Sequence, residues 1–221
     1  KGRTGIYAFL LVRRGGWEKP FRRRSEKIFM KLKSLIAGVA LLSSVSFAAT
    51  QGAQFSVLPG VQFGATKYDS IDGFSFNVLG AENQNVSGVD LSLIGYRKVN
   101  GNFNGLHLSL FFEAFRVDGN MRGISLALWN DVKGDVNGGN LGLVNTVGGN
   151  ATFQLGGLNM VNQEAMVQIG FVNYAQQVGG LQFGFVNATK KLEGLQVGLI
   201  NYAENGVFPV LPIVNFRKTL F

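Results

Sequence analysis

The sequence repeats one short phrase at an interval of 14 residues. Residues 180–193 read GLQFGFVNATKKLE, and residues 194–207 read GLQVGLINYAENGV. The strict interval holds through residues 138–215, and looser copies such as GISLALWN extend the pattern upstream. Self-similarity at a short fixed period is typical of a chain that stacks one structural unit on the next. We therefore predict about eleven copies of one unit, all of them short coils or strands of a single repeat domain.

Within each unit, the side chains indicate a β-strand followed by a corner. Positions two, four and six are mostly apolar, position three is polar and position five is usually Gly, which gives the period of two that is typical of a strand. Position seven is again apolar and Asn follows, which predicts a corner because Asn tolerates left-handed backbone. Polar third positions such as Gln196 are expected to face solvent.

Two all-β arrangements can use this unit, and they differ in how neighbouring copies pair. In a flattened parallel β-solenoid, each residue lies over its counterpart one coil later, so the apolar columns stack and the Asn side chains form a ladder. In an antiparallel outer-membrane β-barrel, one unit supplies a membrane-crossing strand and a turn. The solenoid is the predicted fold because it gives a reason for Asn at a constant position. The barrel remains the alternative.

The predicted ladder takes one asparagine from each coil. Its members are Asn130, Asn145, Asn159, Asn173, Asn187, Asn201 and Asn215. The final segment, residues 208–221, differs because it contains Pro209 and Pro212 and then Arg217 and Lys218. Proline offers no N–H to a further strand, and charge discourages pairing at a sheet edge. We therefore predict that residues 208–221 form a cap.

The first 48 residues differ in charge from the remainder of the chain. They hold eleven of the 21 Lys and Arg but two of the 13 Asp and Glu, so the net charge of residues 49–221 is near −1. Residues 30–48, MKLKSLIAGVALLSSVSFA, have the charged start, apolar stretch and small-residue cleavage site of a secretory signal peptide. Residues 1–29 show no structural period and are interpreted as upstream translation or an over-long gene assignment. Residues 49–221 are predicted to be one β-repeat domain.

Residues that could carry catalysis or bind a metal are scarce. The chain has no Cys and a single His, His107, at a polar strand position where a solvated side chain is expected. No set of nucleophile, base and orienting residue can be assembled, so no enzyme activity, catalytic residue or cofactor is predicted. Asp131, Asp135 and Asn137 lie in a Gly-rich segment and are candidate Ca²⁺ ligands, since Ca²⁺ prefers oxygen. An irregular turn between two coils explains the same three residues.

The repeats resemble those of a family of uncharacterised exported bacterial surface-repeat proteins. The resemblance lies in the VDLSLIG and NLGLVN units and in GLQFGFVNATKKLEGLQVGLINYAENGVFPVLPIVNF, because chains of that family end in GLQxGLIN-type repeats and a Pro-containing NF close. It covers about residues 73–216. The resemblance implies a repeat fold and a location in the Gram-negative envelope, but no known activity.

Together, the leader and the repeats predict a non-enzymatic, exported protein of the bacterial cell envelope with a structural or adhesive role. Its expected partner is the outer membrane or another envelope component. Nucleic acid is not an expected partner, because the basic charge lies in the leader. The alternative function is that of an integral outer-membrane barrel acting as a small channel or anchor.

Overall fold

The computed structural model describes residues 49–218. The predicted signal peptide at 30–48, the segment 1–29 and the last three residues of the predicted cap lie outside the described residues. The described chain contains fourteen β-strands and no α-helix. The strands are β1 (Thr50–Leu58), β2 (Val61–Phe63), β3 (Ser70–Asn77), β4 (Gly80–Asn83), β5 (Val86–Ser92), β6 (Gly95–Val99), β7 (Phe103–Ser109), β8 (Glu113–Val117), β9 (Met121–Leu126), β10 (Trp129–Val132), β11 (Val136–Val147), β12 (Ala151–Leu192), β13 (Leu195–Ala203) and β14 (Val210–Phe216).

Neighbouring coils pair in parallel along two faces. The first face orders β1, β3, β5, β7, β9 and the start of β11. The second face orders β4, β6, β8, β10 and the end of β11. Beyond β11 the chain stays extended around the corners, so β12 alone runs for 42 residues. The parallel β-solenoid is therefore confirmed, and the antiparallel barrel alternative is wrong.

The register shows why the repeat has a constant length in its C-terminal half. Leu141 pairs with Leu155 and Asn145 with Asn159, so each residue lies over its counterpart 14 positions later. Upstream coils are longer, since Phe103 pairs with Met121, and the additional residues lie in the turns. Within residues 49–218 the solenoid has about nine turns. The expected eleven is too high because the first and last copies, β2 and β14, pair antiparallel with β1 and β13 and add no coil.

The polar positions of the repeat face the interior, which is the opposite of the sequence prediction. Gln196 and His107, both expected to face solvent, are fully buried, whereas Leu199 in an apolar position is 64% exposed. Period-two alternation places positions three and five on one side of the strand but does not say which side faces inward. The small residue at position five determines which side of the strand faces inward, because only Gly leaves room inside the corner for the Asn of the neighbouring coil.

The apolar core lies between the last residues of the second-face strands and the first residues of the first-face strands. It consists of one inward column on each of these two segments. The first column includes Val99, Val117, Val132, Val147 and Val161, and the second includes Ile71, Val86, Phe103, Met121 and Val136. β-branched residues dominate both columns, as expected for side chains that stack on a pleated surface.

The C-terminal end of the stack is closed by a strand of opposite direction. β14 runs antiparallel to β13, so Asn215 pairs with Gln196 and not with Asn201. The assignment of Asn215 to the Asn ladder was therefore wrong, although its spacing along the chain fits. The chain reverses before β14, and a constant spacing implies stacking only where the direction is unchanged. Arg217 pairs with Glu193 at 2.6 Å and fastens this end.

Candidate functional site

The asparagines form a continuous hydrogen-bonded ladder inside the corner. Each Nδ2 donates to the Oδ1 of the next asparagine at 2.8 Å, in the order Asn130, Asn145, Asn159, Asn173, Asn187 and Asn201. The same amides also donate to backbone carbonyls of the next coil, for example from Asn173 to Phe183 at 3.0 Å. Because each net hydrogen bond contributes about 0.5–1.5 kcal/mol, the ladder can be buried without a large penalty.

A column of glycines makes this ladder sterically possible. Position five is Gly142, Gly156, Gly170, Gly184 and Gly198 in five successive coils. A Cβ atom on Gly170 would lie 2.6 Å from Nδ2 of Asn159 and even closer to the carbonyl oxygen of Gly156. Gly at position five and Asn at position eight are therefore parts of one structural device, which explains the recurring GxxN phrase.

A second polar ladder occupies position three. Gln168 donates to Gln154 at 2.8 Å, Gln182 donates to Gln168 at 2.7 Å, and Gln196 donates to Gln182 at 2.7 Å. Donation runs toward the N-terminus here and toward the C-terminus in the Asn ladder. The sequence prediction missed this ladder, although Gln at position three in four successive repeats was the signal that could have found it.

The Gln ladder is interrupted at Asn140. This side chain lies in register with Gln154, but neither its Oδ1 nor its Nδ2 has a hydrogen-bond partner among the described residues, and Nε2 of Gln154 is also unpaired. Asn is one methylene shorter than Gln, so its amide does not occupy the position that the ladder requires.

We expect Asn140→Gln to stabilise the protein by about 1 kcal/mol, because the longer amide can accept from Gln154 and extend the ladder. Urea denaturation of the two proteins measures the difference. Asn140→Leu is the matched control of similar size, which cannot accept the bond. A Gln variant no more stable than the Leu variant would contradict the proposed extension.

Upstream, two residues of the same column, Asp90 and His107, belong to a buried cluster of charged side chains. Asp90, Arg97, His107 and Glu113 have fully buried side chains. Asp90 Oδ2 accepts from Arg97 Nε at 2.9 Å and from His107 Nδ1 at 3.0 Å, while His107 Nε2 donates to Glu113 Oε2 at 2.9 Å. The imidazole also stacks on Phe115, with ring centroids 3.9 Å apart. His107 is thus a structural centre of the interior and not the solvated residue that its sequence position predicts.

The surroundings of this cluster favour its charged form. Burial alone would raise the pKa of Asp90, but the charge of Arg97 and the hydrogen bond from His107 hold it well below its usual 3.8. Burial alone would lower the pKa of His107, but its hydrogen bonds to Asp90 and Glu113 hold it above the usual 6.5. The protonated imidazole balances the cluster, which then has two cationic and two anionic groups.

These shifts predict a loss of stability at alkaline pH. A pKa raised by folding contributes stability that is complete below the usual pKa of 6.5 and is lost as the pH rises through the folded-state value. We expect the thermal midpoint to fall on this alkaline side more steeply than in His107→Gln/Glu113→Gln, which keeps neutral amides in the column. Parallel pH profiles for the two proteins would contradict the assignment.

The cluster is not arranged for catalysis. Both ring nitrogens of His107 are already bonded to carboxylates, so neither is free to accept a proton from a nucleophile. The four side chains are also closed off from solvent, so a substrate has no access to them.

The candidate Ca²⁺ ligands are not assembled into a site. Asp131 Oδ1 pairs with Lys133 at 2.9 Å and accepts from Thr146 at 2.8 Å, and Asp135 accepts from the backbone of Asn150 at 2.7 Å. Asn137 is an exposed residue of β11 that pairs with Arg122. Within residues 49–218, no group of three or more acidic, His or Cys side chains could hold a metal. The alternative explanation, a turn between coils, fits Asp135, whereas Asp131 lies in β10 and Asn137 in β11.

The outer surface of the first face and its corner is apolar over the length of the solenoid. We call this surface the apolar side, and it consists of the outward side chains at repeat positions two, four, six and seven, together with Phe112 at position eight of its unit. Its most exposed members include Leu110, Phe111, Phe112, Leu143, Phe171 and Leu199, each at least 59% exposed. No charged side chain is exposed at these positions in the part of the chain that the structure describes.

Most charges lie on the outer surface of the second face and in the adjoining turns, and the exposed Asp72 and Arg122 lie near the beginnings of two first-face strands, outside the apolar side. One row on this surface contains two ion pairs side by side, formed by Glu82 on β4, Lys98 on β6, Arg116 on β8 and Asp131 on β10. Lys98 pairs with Glu82 at 3.7 Å, and Arg116 pairs with Asp131 at 3.6 Å. These exposed pairs contribute little stability individually, but they make this surface compatible with water.

A groove of about 740 Å³ runs along the apolar side across successive coils. Its floor is the glycine column at position five. One wall consists of the position-four side chains Leu126, Leu141, Leu155, Ile169, Phe183 and Val197. The other wall consists of Phe171, Phe185, Leu199 and Ile213. Phe171 and Phe185 stack with ring centroids 5.2 Å apart. Every residue that lines the groove is aliphatic, Phe or Gly.

None of the described residues forms a helix with the length and hydropathy that a membrane crossing requires. The exported surface-repeat resemblance stays a prediction. Comparison of the chain with protein-family models, with curated proteins and with solved structures found no match.

Proposed function

We propose that this chain is a non-enzymatic, exported protein of the bacterial cell envelope that attaches to a lipid surface through its apolar side. The observation that carries the proposal is the separation of side chains by face. Exposed Phe, Leu and Ile cover the first face and its corner, while the ion pairs of the coils lie on the second face and its turns. Contiguous exposed apolar surface of this kind marks a partner or membrane surface.

The chemistry of the apolar side favours lipid over polar partners. Its outward side chains offer no hydrogen-bond donor or acceptor apart from the Trp129 indole, so a sugar or nucleic acid buried there would lose its bonds to water without replacement. Backbone N–H and C=O groups are used in pairing between coils. Hydrocarbon needs neither, and a polar face opposite an apolar face is how peripheral proteins lie at a membrane interface.

The alternative function, that of a small outer-membrane channel or anchor, does not fit this fold. It requires antiparallel strands that close on themselves, whereas neighbouring coils of this chain pair in parallel. Export and envelope location are supported by the signal-peptide pattern at 30–48.

Flotation with phosphatidylcholine vesicles tests the proposal. We expect the full chain to float with these uncharged vesicles at both low and high salt, because the apolar side carries no exposed charge to be screened. Phe111→Asp/Phe112→Asp should reduce flotation, since two charges must then enter the interface.

The matched control is Gln163→Asp/Gln176→Asp, which adds the same two charges at exposed positions outside the apolar side. It should float like the parent chain. All of these proteins keep residues 1–48, so the leader cannot cause a difference between them. Equal flotation of the two double variants, with both folded by circular dichroism, would contradict attachment through the apolar side.

A further inference from the structure

We propose that the groove on the apolar side is a binding site for a single acyl chain of a membrane lipid. This inference rests on the proposed function, which makes the membrane the source of the acyl chain. It adds a defined binding site to a surface that otherwise makes only unspecific contact with lipid. The groove differs from the rest of the apolar side because two rows of side chains rise on either side of a glycine floor.

The dimensions of the groove suit one extended hydrocarbon chain. Its longer wall uses one side chain from each of six successive coils, Leu126 to Val197. Coils in a parallel stack are about 4.8 Å apart, so the groove is roughly 24 Å long. One leaflet contributes about half of the roughly 30 Å hydrocarbon thickness of a bilayer. A complete acyl chain can therefore lie along the groove, whose volume of about 740 Å³ is in the range of small-molecule sites.

The lining selects for a ligand without polar groups. No lining side chain donates or accepts a hydrogen bond, and none is charged. The backbone of the floor is already used, because Gly142 lies in register with Gly156 in the parallel sheet. An extended peptide would bury its own amides against this surface without partners, which is costly. The match between an uncharged, donor-free groove and hydrocarbon is the electrostatic argument for an acyl chain.

The aromatic residues define where the chain is held most firmly. Phe171 and Phe185 stack face to face on one wall, and Phe183 stands on the other wall. All three are more than half exposed in the empty groove, so a bound chain would remove a large apolar area from water. These residues belong to two neighbouring coils, which places the centre of the site in β12.

The test uses the full chain and the fluorescent fatty acid cis-parinaric acid, kept below its micelle concentration. We expect saturable fluorescence enhancement with one site per chain. Lysophosphatidylcholine, which carries one acyl chain and a headgroup, should displace the probe at least as well as palmitate. Displacement by palmitate alone would overturn the assignment of the source to a membrane lipid.

Two variants separate the groove from the general surface. Phe171→Asp/Phe185→Asp places charges in one wall and should weaken probe binding by about tenfold or more. Phe111→Asp/Phe112→Asp lies outside the groove and should bind the probe like the parent chain, although it floats poorly. Both variants are first checked for folding by circular dichroism and thermal midpoint, and two equally weakened, folded variants would overturn the groove as the site.

The outcomes distinguish this inference from the proposed function. Flotation that depends on the apolar side, combined with no saturable probe binding, would overturn the acyl site alone. Saturable probe binding that Phe171→Asp/Phe185→Asp abolishes, combined with no flotation of the parent chain, would support the site and count against attachment to a membrane surface.

Discussion

Arg97→Met should lower the free energy of unfolding by about 3–5 kcal/mol, because it removes one partner of a buried ion pair. Arg97 Nε donates to Asp90 at 2.9 Å and Nη1 donates to the backbone carbonyl of Lys98 at 3.0 Å, and the side chains of Arg97 and Asp90 are fully buried. Met fills a similar volume but leaves the Asp90 carboxylate with hydrogen bonds from His107 and the neutral Asn77 amide, and without its guanidinium partner. Urea denaturation at pH 6 measures the loss, since His107 is then protonated.

Arg116→Met is the matched control for this substitution. Arg116 pairs with Asp118 and Asp131, but its side chain is 38% exposed, so we expect a loss below about 1 kcal/mol. Similar losses for the two variants would show that the buried pair is not the cause. Replacing all four charged side chains by Asp90→Asn, Arg97→Met, His107→Gln and Glu113→Gln should recover part of the loss, because no uncompensated charge then remains.

This cluster could not be predicted from the sequence, for a physical reason. Asp90 and His107 occupy position three of their units, but Arg97 and Glu113 lie beyond the strand in coils of irregular length. Their contact depends on how many residues each turn takes up, and β7 pairs with β9 across an 18-residue interval where the C-terminal repeat has 14. The orphan atoms Arg97 Nη2 and Glu113 Oε1 show that even the folded cluster is incompletely paired.

The parallel stack itself was predictable, because a constant Asn and a small residue at position five have a structural role only when successive coils lie in register. Asn187 donating to Asn201 is the contact that this reasoning anticipates. The direction of the side chains was not predictable from hydrophobicity. Gln182 and Phe183 are neighbours on one strand, and the usual rule places Phe inside, yet Gln182 is buried and Phe183 is 52% exposed.

Ladder geometry explains this reversal. A buried amide is acceptable when each coil supplies the next with a donor and an acceptor in the same position. Identical Gln or Asn side chains in register meet this condition in every successive coil. Phe183 would not fit inside, because the interior corner is narrow enough to require Gly at position five. The repeat therefore places the hydrophobic residues of positions four, six and seven outside, and the groove that supports the proposed lipid site follows from the same Gly and Asn that hold the coils together.

Gly170→Ala should destabilise the solenoid by about 3–5 kcal/mol, which is a large effect for one methyl group. The added Cβ would lie 2.6 Å from Nδ2 of Asn159, inside the 3.0 Å that real Cβ atoms keep, and closer still to the backbone oxygen of Gly156. Backbone atoms of a paired coil cannot move away cheaply, so either the coils separate or Asn159 leaves the ladder. Both outcomes break hydrogen bonds that are shared with Asn173.

The matched control is Gly139→Ala, another glycine within a strand of the first face. There the nearest atoms to a new Cβ are side-chain carbons of Leu141 and Phe153 at 3.5 Å, which is ordinary contact. We expect a change within about 0.5 kcal/mol, because Ala fits and also lowers the entropy of the unfolded chain. Urea denaturation midpoints of the two Ala variants give the comparison. If the midpoints coincide, space for the Asn ladder is not the reason for Gly at position five. The constant Gly must then be explained by the outer surface, where it forms the floor of the groove.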